Sequence, residues 1–164
     1  MGRNLTDDQI RAIGERRGFI GLHFGSGFIE RDYMDRIRAS GFYEKLRAWE
    51  ADLRERFPDP HEYMAHRFNM DTWEKSELYA LQRSIPRPPL SRLIDHLDRM
   101  VELAGIDCVG VGTDYDLGSV PSEIEFADDL PNLTRALVER GYGDDDIKKI
   151  WGGNFLRVLN TIDS

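Results

Sequence analysis

The sequence predicts an α/β fold with short parallel strands, on three observations. A helix signal, a short loop and an apolar β-rich run follow one another twice, over residues 6–24 and 91–113, and that order is the repeating unit of βα proteins. The two runs, FIGLHF at residues 19–24 and CVGVGT at residues 108–113, are short and rich in β-formers, so they read as strands rather than helices. In the first, both alternating sets carry apolar residues, as in a strand buried on both faces. The second run ends at Asp114 in GVGTDYDLG, and the C-terminal ends of such strands are where α/β sheets carry their working groups.

Taken in order, the elements begin with Thr6. With Gln9 it makes a capping box, Asp7 and Asp8 sit where the helix dipole favours acids, and Ile10 and Ile13 form the apolar stripe. Gly18 is the expected stop, after Arg16 and Arg17. From residue 31 to 83 the chain is rich in charge and aromatics, with helical spacing at Leu46, Trp49 and Leu53. Two or three helices are expected there, broken at Pro58 and Pro60. Pro86, Arg87, Pro88 and Pro89 make a stiff connector. Ser91 is the expected cap of a helix whose face is Ile94, Leu97, Val101 and Ala104, closed by Gly105. Residues 131–161 read as short helices. Leu133 and Leu137 pair in the first, Asp144 caps the next, and Phe155, Leu156 and Leu159 line the last. There is no internal repeat and no low-complexity segment.

Bulk properties narrow the function. The 164 residues suit one domain, with 40% hydrophobic and 32% charged residues, a soluble globular composition. A net charge of −8, from 30 acidic against 22 basic residues, argues against a nucleic-acid partner. No apolar run approaches the roughly 18 residues of a membrane span. The first residues, MGRNLTDDQI, hold no apolar signal core, so a cytoplasmic location is expected. The single cysteine, Cys108, excludes an internal disulfide and reads as a buried structural thiol.

Asp114 is the candidate catalytic residue, against the alternative of a loop aspartate capping a backbone amide. Gly110 and Gly112 before it permit close packing or close ligand approach, and Asp116 reads as a turn residue. HEYMAH at residues 61–66 resembles a zinc motif, but its histidines are five apart. On a helix that separates the rings by about 140°, so they cannot share one metal and read as surface residues. His96 and Asp98 do not face each other at their spacing. His23, near the end of its strand, either points into a site or is packed and hydrogen-bonded. There is no G-x-S-x-G, P-loop or G-x-G-x-x-G.

Three stretches, RNLTDDQIRAIGERRGFIGLHF, LIDHLDRMVELAGIDCVGVGTDYD and LPNLTRALVERGYGDDDIKKIWGGNFLRVL, together resemble the C-terminal part of the membrane (renal) dipeptidase family. These are zinc-dependent dipeptidases of the amidohydrolase type on a (β/α)8 barrel. The resemblance implies that residues 1–164 form a single partial domain, two parallel strands plus helices from an incomplete TIM barrel, with a helical insertion at about residues 29–85. It implies that Arg3 holds the substrate carboxylate, which its planar fork suits. It also implies that Asp114 handles protons during attack of metal-bound hydroxide and collapse of the tetrahedral intermediate. The family binds two zinc ions through an early His-x-Asp pair, a bridging Glu and two later histidines, all ahead of the arginine. None of the four histidines here aligns with a ligand. The family's Asp-Phe-Asp-Gly reads Asp114-Tyr115-Asp116-Leu117 in this chain, with Gly118 one place late.

The expected function is therefore the C-terminal portion of a zinc-dependent dipeptide hydrolase, with no complete metal site and negligible activity alone. The expected partners are a dipeptide substrate in the intact enzyme and either a second copy or an N-terminal half. Two alternatives stay open: a non-catalytic α/β module that assembles with itself or with a separate N-terminal chain, and a small independent enzyme using His23 and Asp114 together.

Overall fold

The computed structural model describes residues 4–69, 73, 76–115 and 119–162. Arg3, Asp116 and Gly118 lie outside the described residues. The chain forms two compact units, Met1–Arg31 with Arg87–Ser164, and Asp32–Pro86.

In the first unit, α1 (Asp7–Glu15) opens on the expected capping box. The Gln9 N–H donates to Thr6 Oγ1 at 3.3 Å and the Thr6 N–H donates to Gln9 Oε1 at 2.9 Å. Its end differs from expectation. The left-handed residue is Arg17, at φ 54°, and Gly18 follows it. The Arg17 N–H donates to Gly14 O at 2.8 Å and the Gly18 N–H to Ile13 O at 2.9 Å, a Schellman closure. Gly18 is needed for room, because a Cβ there would stand 2.8 Å from Ile13 Cγ2.

β1 (Ile20–Leu22) and β2 (Val109–Val111) form a two-stranded parallel sheet with Gly21 opposite Gly110. Both are shorter than expected. Cys108 is buried, as expected, but lies in a 3-10 turn (Ile106–Cys108) ahead of β2. Nor is β1 buried on both faces. Ile20, Leu22 and Phe24 are buried, whereas Gly21 is exposed and Phe19 and His23 are half-buried. The apolar residues of the second set are too few to cover that face.

α2 (Ser26–Ile29) is a single turn. α7 (Leu90–Ala104), the long helix of this unit, buries Leu90, Leu93, Ile94, Leu97 and Met100. Ser91 does not cap it; the helix starts at Leu90, whose N–H donates to Glu123 Oε1 at 3.1 Å. Gly105 closes it at φ 84°. α8 (Leu130–Arg140) buries Leu133 and Leu137. In α9 (Asp144–Lys148), Asp144 is the first helical residue and Gly143 the cap, so the acid acts on the helix dipole instead of capping. A wide turn, Lys149–Gly153, leads into α10 (Asn154–Ile162). Phe155, Leu156 and Leu159 of α10 are exposed, against expectation. The helix is held instead by polar side chains. Buried Asn154 donates Nδ2 to Ile106 O at 2.7 Å and Val109 O at 2.8 Å, and the Arg157 guanidinium donates to the carbonyls of Arg17, Gly18 and Asp107.

The second unit holds α3 (Arg31–Ala39), α4 (Phe42–Arg56), α5 (Pro60–Arg67) and α6 (Glu77–Ser84). These are four helices among the described residues where two or three are expected. The break expected at Pro58 and Pro60 falls between α4 and α5, and Pro60 opens α5 at the first helical position behind an Asp59 cap. Tyr33, Ile37, Phe42, Leu78 and Ile85 form its core.

Two predictions follow from the packing of the first unit. A Cβ on Gly14 of α1 would stand 2.6 Å from Ala104 Cα of α7. Gly14→Ala should therefore lose stability, because about 1–3 kcal/mol of overpacking exceeds the gain of about 1 kcal/mol in helix propensity; denaturant unfolding would measure the loss. Half-buried Tyr142 donates its hydroxyl to Asp98 Oδ1 at 2.8 Å, and burial first, then the Asp98 carboxylate, raise its pKa. A phenol raised in the folded state stabilises fully below its unfolded value near 10, and that stabilisation is lost as pH rises through the folded value. Tyr142→Phe should cost about 1 kcal/mol near neutral pH, with the gap to wild type closing once pH passes about 10 in unfolding curves taken on either side.

Candidate active site

The pairing of β1 with β2 places His23 one residue past the first strand and Asp114 three past the second. Alternate residues of a strand share a face. The register that sets Gly21 opposite Gly110 therefore puts Gly21 and His23 on the same side as Gly110, Gly112 and Asp114. Close approach requires these glycines. A Cβ on Gly112 would stand 2.9 Å from Gly21 Cα, and one on Gly110 would meet the Phe19 ring at 2.6 Å and Ile150 O at 2.9 Å. Close packing is thus the role the two β2 glycines fill.

On that face His23 Nε2 lies 2.6 Å from Asp114 Oδ2. His23 Nδ1 accepts the Gly25 N–H at 2.9 Å, so the Nδ1 lone pair is taken and the neutral ring carries its proton on Nε2, donating to Asp114. The ring also packs on Phe28, with centroids 4.2 Å apart. A Cβ on Gly25 would stand 2.6 Å from His23 Cε1, so only glycine fits beneath the imidazole. The histidine is packed and hydrogen-bonded, and it also reaches the candidate carboxylate.

Asp114 has φ 59°, a left-handed backbone that costs a non-glycine residue about 1–2 kcal/mol and that aspartate tolerates better than most. Its side chain is 44% exposed and that of His23 28%. A carboxylate held through one oxygen and open to solvent can take up and release a proton. The next residue, Tyr115, sets its ring edge-on to Phe24 at 5.7 Å, tying together the segments that follow the two strands. Burial first, then the Asp129 charge, raise the Tyr115 pKa.

Beside His23 a cleft of about 420 Å³ is lined by Asn4, Leu22, His23, Phe28, His96 and Met100, among others. Asn4, the residue after Arg3, donates Nδ2 to Phe28 O at 2.9 Å. His96 Nε2 lies 2.9 Å from Ile29 O, so it is a packed residue and not a partner of Asp98. A larger groove of about 550 Å³, lined by residues of α7 and α8 with Glu123, contains neither His23 nor Asp114; its size does not make it the site. No group of three or more His, Cys, Asp or Glu among the described residues could hold a metal ion. His61 is exposed and His66 stacks on Phe57 at 3.7 Å.

The sequence singles out Asp114 as the candidate and joins His23 to it only in the reading as a small independent enzyme; the structure brings the two side chains into contact. The usable signal was that both lie on one face just beyond the C-terminal ends of neighbouring strands.

Comparison with known proteins bears on the family and the fold. The model of the membrane dipeptidase family, Peptidase family M19, matches residues 1–164. The chain is 28% identical over 160 residues to an uncharacterised Klebsiella pneumoniae protein in the pqqA 5′ region, covering 98% of this chain and 41% of that one. It is 35% identical over 75 residues to dipeptidase aclJ of Aspergillus oryzae, covering 45% of this chain and 18% of that protein. The crystal structure of PvdM from Pseudomonas aeruginosa, described as a probable dipeptidase, matches with a TM-score of 0.61 and 28% identity, over 94% of this chain and 40% of that one. The chain thus spans about two-fifths of the length of the relatives it matches along most of its own. Its helices and two parallel strands are those of a partial (β/α)8 barrel, and the chain belongs to the membrane dipeptidase family, Peptidase family M19.

Proposed function

We propose that this chain supplies the proton-handling and carboxylate-binding side of a dipeptide-hydrolysing site. The observation that carries the reading is the hydrogen-bonded His23–Asp114 pair, 2.6 Å apart, past the ends of two parallel strands. It is supported by membership of a dipeptidase family and by relatives that bear the name dipeptidase.

The chemistry assigned to the chain's own residues is a proton relay. Asp114, as carboxylate, takes the proton from water as its oxygen adds to the scissile carbonyl. When the tetrahedral intermediate collapses, the same proton passes to the leaving amine, the C–N bond breaks, and Asp114 returns to carboxylate. Arg3 binds the free carboxylate of the dipeptide through paired N–H donors. The family resemblance also implies two zinc ions. The described residues do not fit such a centre, because no three donors converge and both His23 nitrogens are already engaged. The metal donors of the reaction are proposed to come from outside these residues.

The test is a dipeptide assay with metal analysis. It uses the purified chain alone and the chain co-expressed with the metal-ligating portion of a longer family member. The chain alone is expected to hydrolyse dipeptides negligibly; stoichiometric zinc together with hydrolysis would overturn that. In the active assembly, Asp114→Asn should lower kcat by about 10²–10⁴-fold. Arg3→Met should raise KM by about tenfold or more, as expected for a lost charged hydrogen bond. A fully active Asp114→Asn variant would remove the assignment.

A further inference from the structure

We infer that His23 is a positioning residue that commits Asp114 Oδ2 as a fixed acceptor and leaves Oδ1 as the oxygen that moves protons. The inference rests on the proposed role of Asp114 and adds a residue to it.

The geometry argues for a built device. The imidazole is constrained on three sides: Gly25 N–H into Nδ1 at 2.9 Å, the Phe28 ring at 4.2 Å, and Asp114 at 2.6 Å. The position under the ring admits no Cβ. Because Gly25 occupies Nδ1, the ring presents a donor to Asp114, and an ionised carboxylate can only accept. Asp114 is by contrast exposed on a strained backbone, and among the described residues His23 is the group that hydrogen-bonds its carboxylate. Without that bond the side chain would be free to rotate its two oxygens.

The arrangement works in both halves of the relay. When Asp114 takes a proton on Oδ1, Oδ2 continues to accept from His23, so the acid form keeps the orientation of the base form. The proton leaves from the oxygen that received it, and His23 neither gains nor loses one.

The experiment has two arms. In the 164-residue chain, the His23 Nε2–H proton should appear in imidazole NMR as a downfield resonance protected from solvent exchange. It should vanish in Asp114→Ala while the Gly25 amide resonance persists. A His23 spectrum indifferent to Asp114→Ala would overturn the proposal. In the active assembly, His23→Leu should lower kcat about tenfold to a hundredfold, as for other lost orienting partners, with KM within about twofold. His23→Gln, whose Nε2 keeps a donor at the same reach, should recover most of the rate. Equal loss in both variants would mean a packing role, and no loss in either would mean no role; both results overturn the inference. If the wild-type assembly hydrolyses no dipeptide, the proposed function fails, and the imidazole spectrum alone decides whether His23 holds Asp114.

Discussion

The parallel pairing of Ile20–Leu22 with Val109–Val111 is the constraint on which the rest of the first unit depends. It joins segments about ninety residues apart in the chain, a long-range closure that local propensity cannot supply. Two properties of the sequence make it possible. Ile20, Leu22 and Val109 bury one face against the helices, each side chain contributing about 1.5–3 kcal/mol. On the other face Gly21 and Gly112 let the strands meet where a Cβ would collide, and Gly110 makes room for the Phe19 ring and the Ile150 carbonyl. Shifting the register by one residue would turn the buried set outward, and it would also part His23 from Asp114.

Around that pair the helices are fixed by contacts between distant polar groups as much as by the core. Glu123 accepts the first amide of α7. Asn154 ties the start of α10 to the carbonyls of Ile106 and Val109, and Arg157 gathers three carbonyls from the end of α1 and the turn before β2. Buried amides and carbonyls left unpaired cost about 1–3 kcal/mol each, so these side chains answer specific deficits at element ends. Their effect reaches the site, because the turn and the end of α1 that Arg157 holds are the segments that lead into β2 and β1.

What could be read from the sequence divides along the same line. The Thr6–Gln9 capping box, Gly105 at the end of α7 and the Leu133–Leu137 pair all depend on neighbours within a few residues, and all are found. The misreadings depend on distant partners or on space. Gly18 looks like a helix stop but serves to clear Ile13, while Arg17 takes the left-handed position. Ser91 looks like a cap because Glu123, 33 residues on from Leu90, gives no local sign of its role. Phe155, Leu156 and Leu159 look like a core stripe because nothing local shows that Asn154 and Arg157 anchor that helix. At the site, Asp114 is legible from its place after an apolar run. His23 is joined to it in one reading of the sequence, but the contact itself appears only once the register brings together positions 91 residues apart.

The division of the two strands into a packed face and one that carries the ionisable pair explains how a strained, exposed aspartate is sustained. A left-handed backbone costs an aspartate at most about 1–2 kcal/mol, and a half-exposed hydrogen bond returns about 0.5–1.5 kcal/mol, so the His23 contact does not by itself offset that strain in full. The offset comes from the opposite face, where Phe24, Ile20, Leu22 and Val109 are buried, and from the Tyr115–Phe24 ring contact that holds the residue after Asp114. The buried cluster of Ile20, Leu22, Phe24 and Val109 therefore lies on one side of the sheet and the ionisable pair on the other. The glycines let the strands approach closely, and beyond them the Asp114 side chain stays 44% exposed beside His23. A reacting group can reach such a carboxylate without displacing the core that holds it in place.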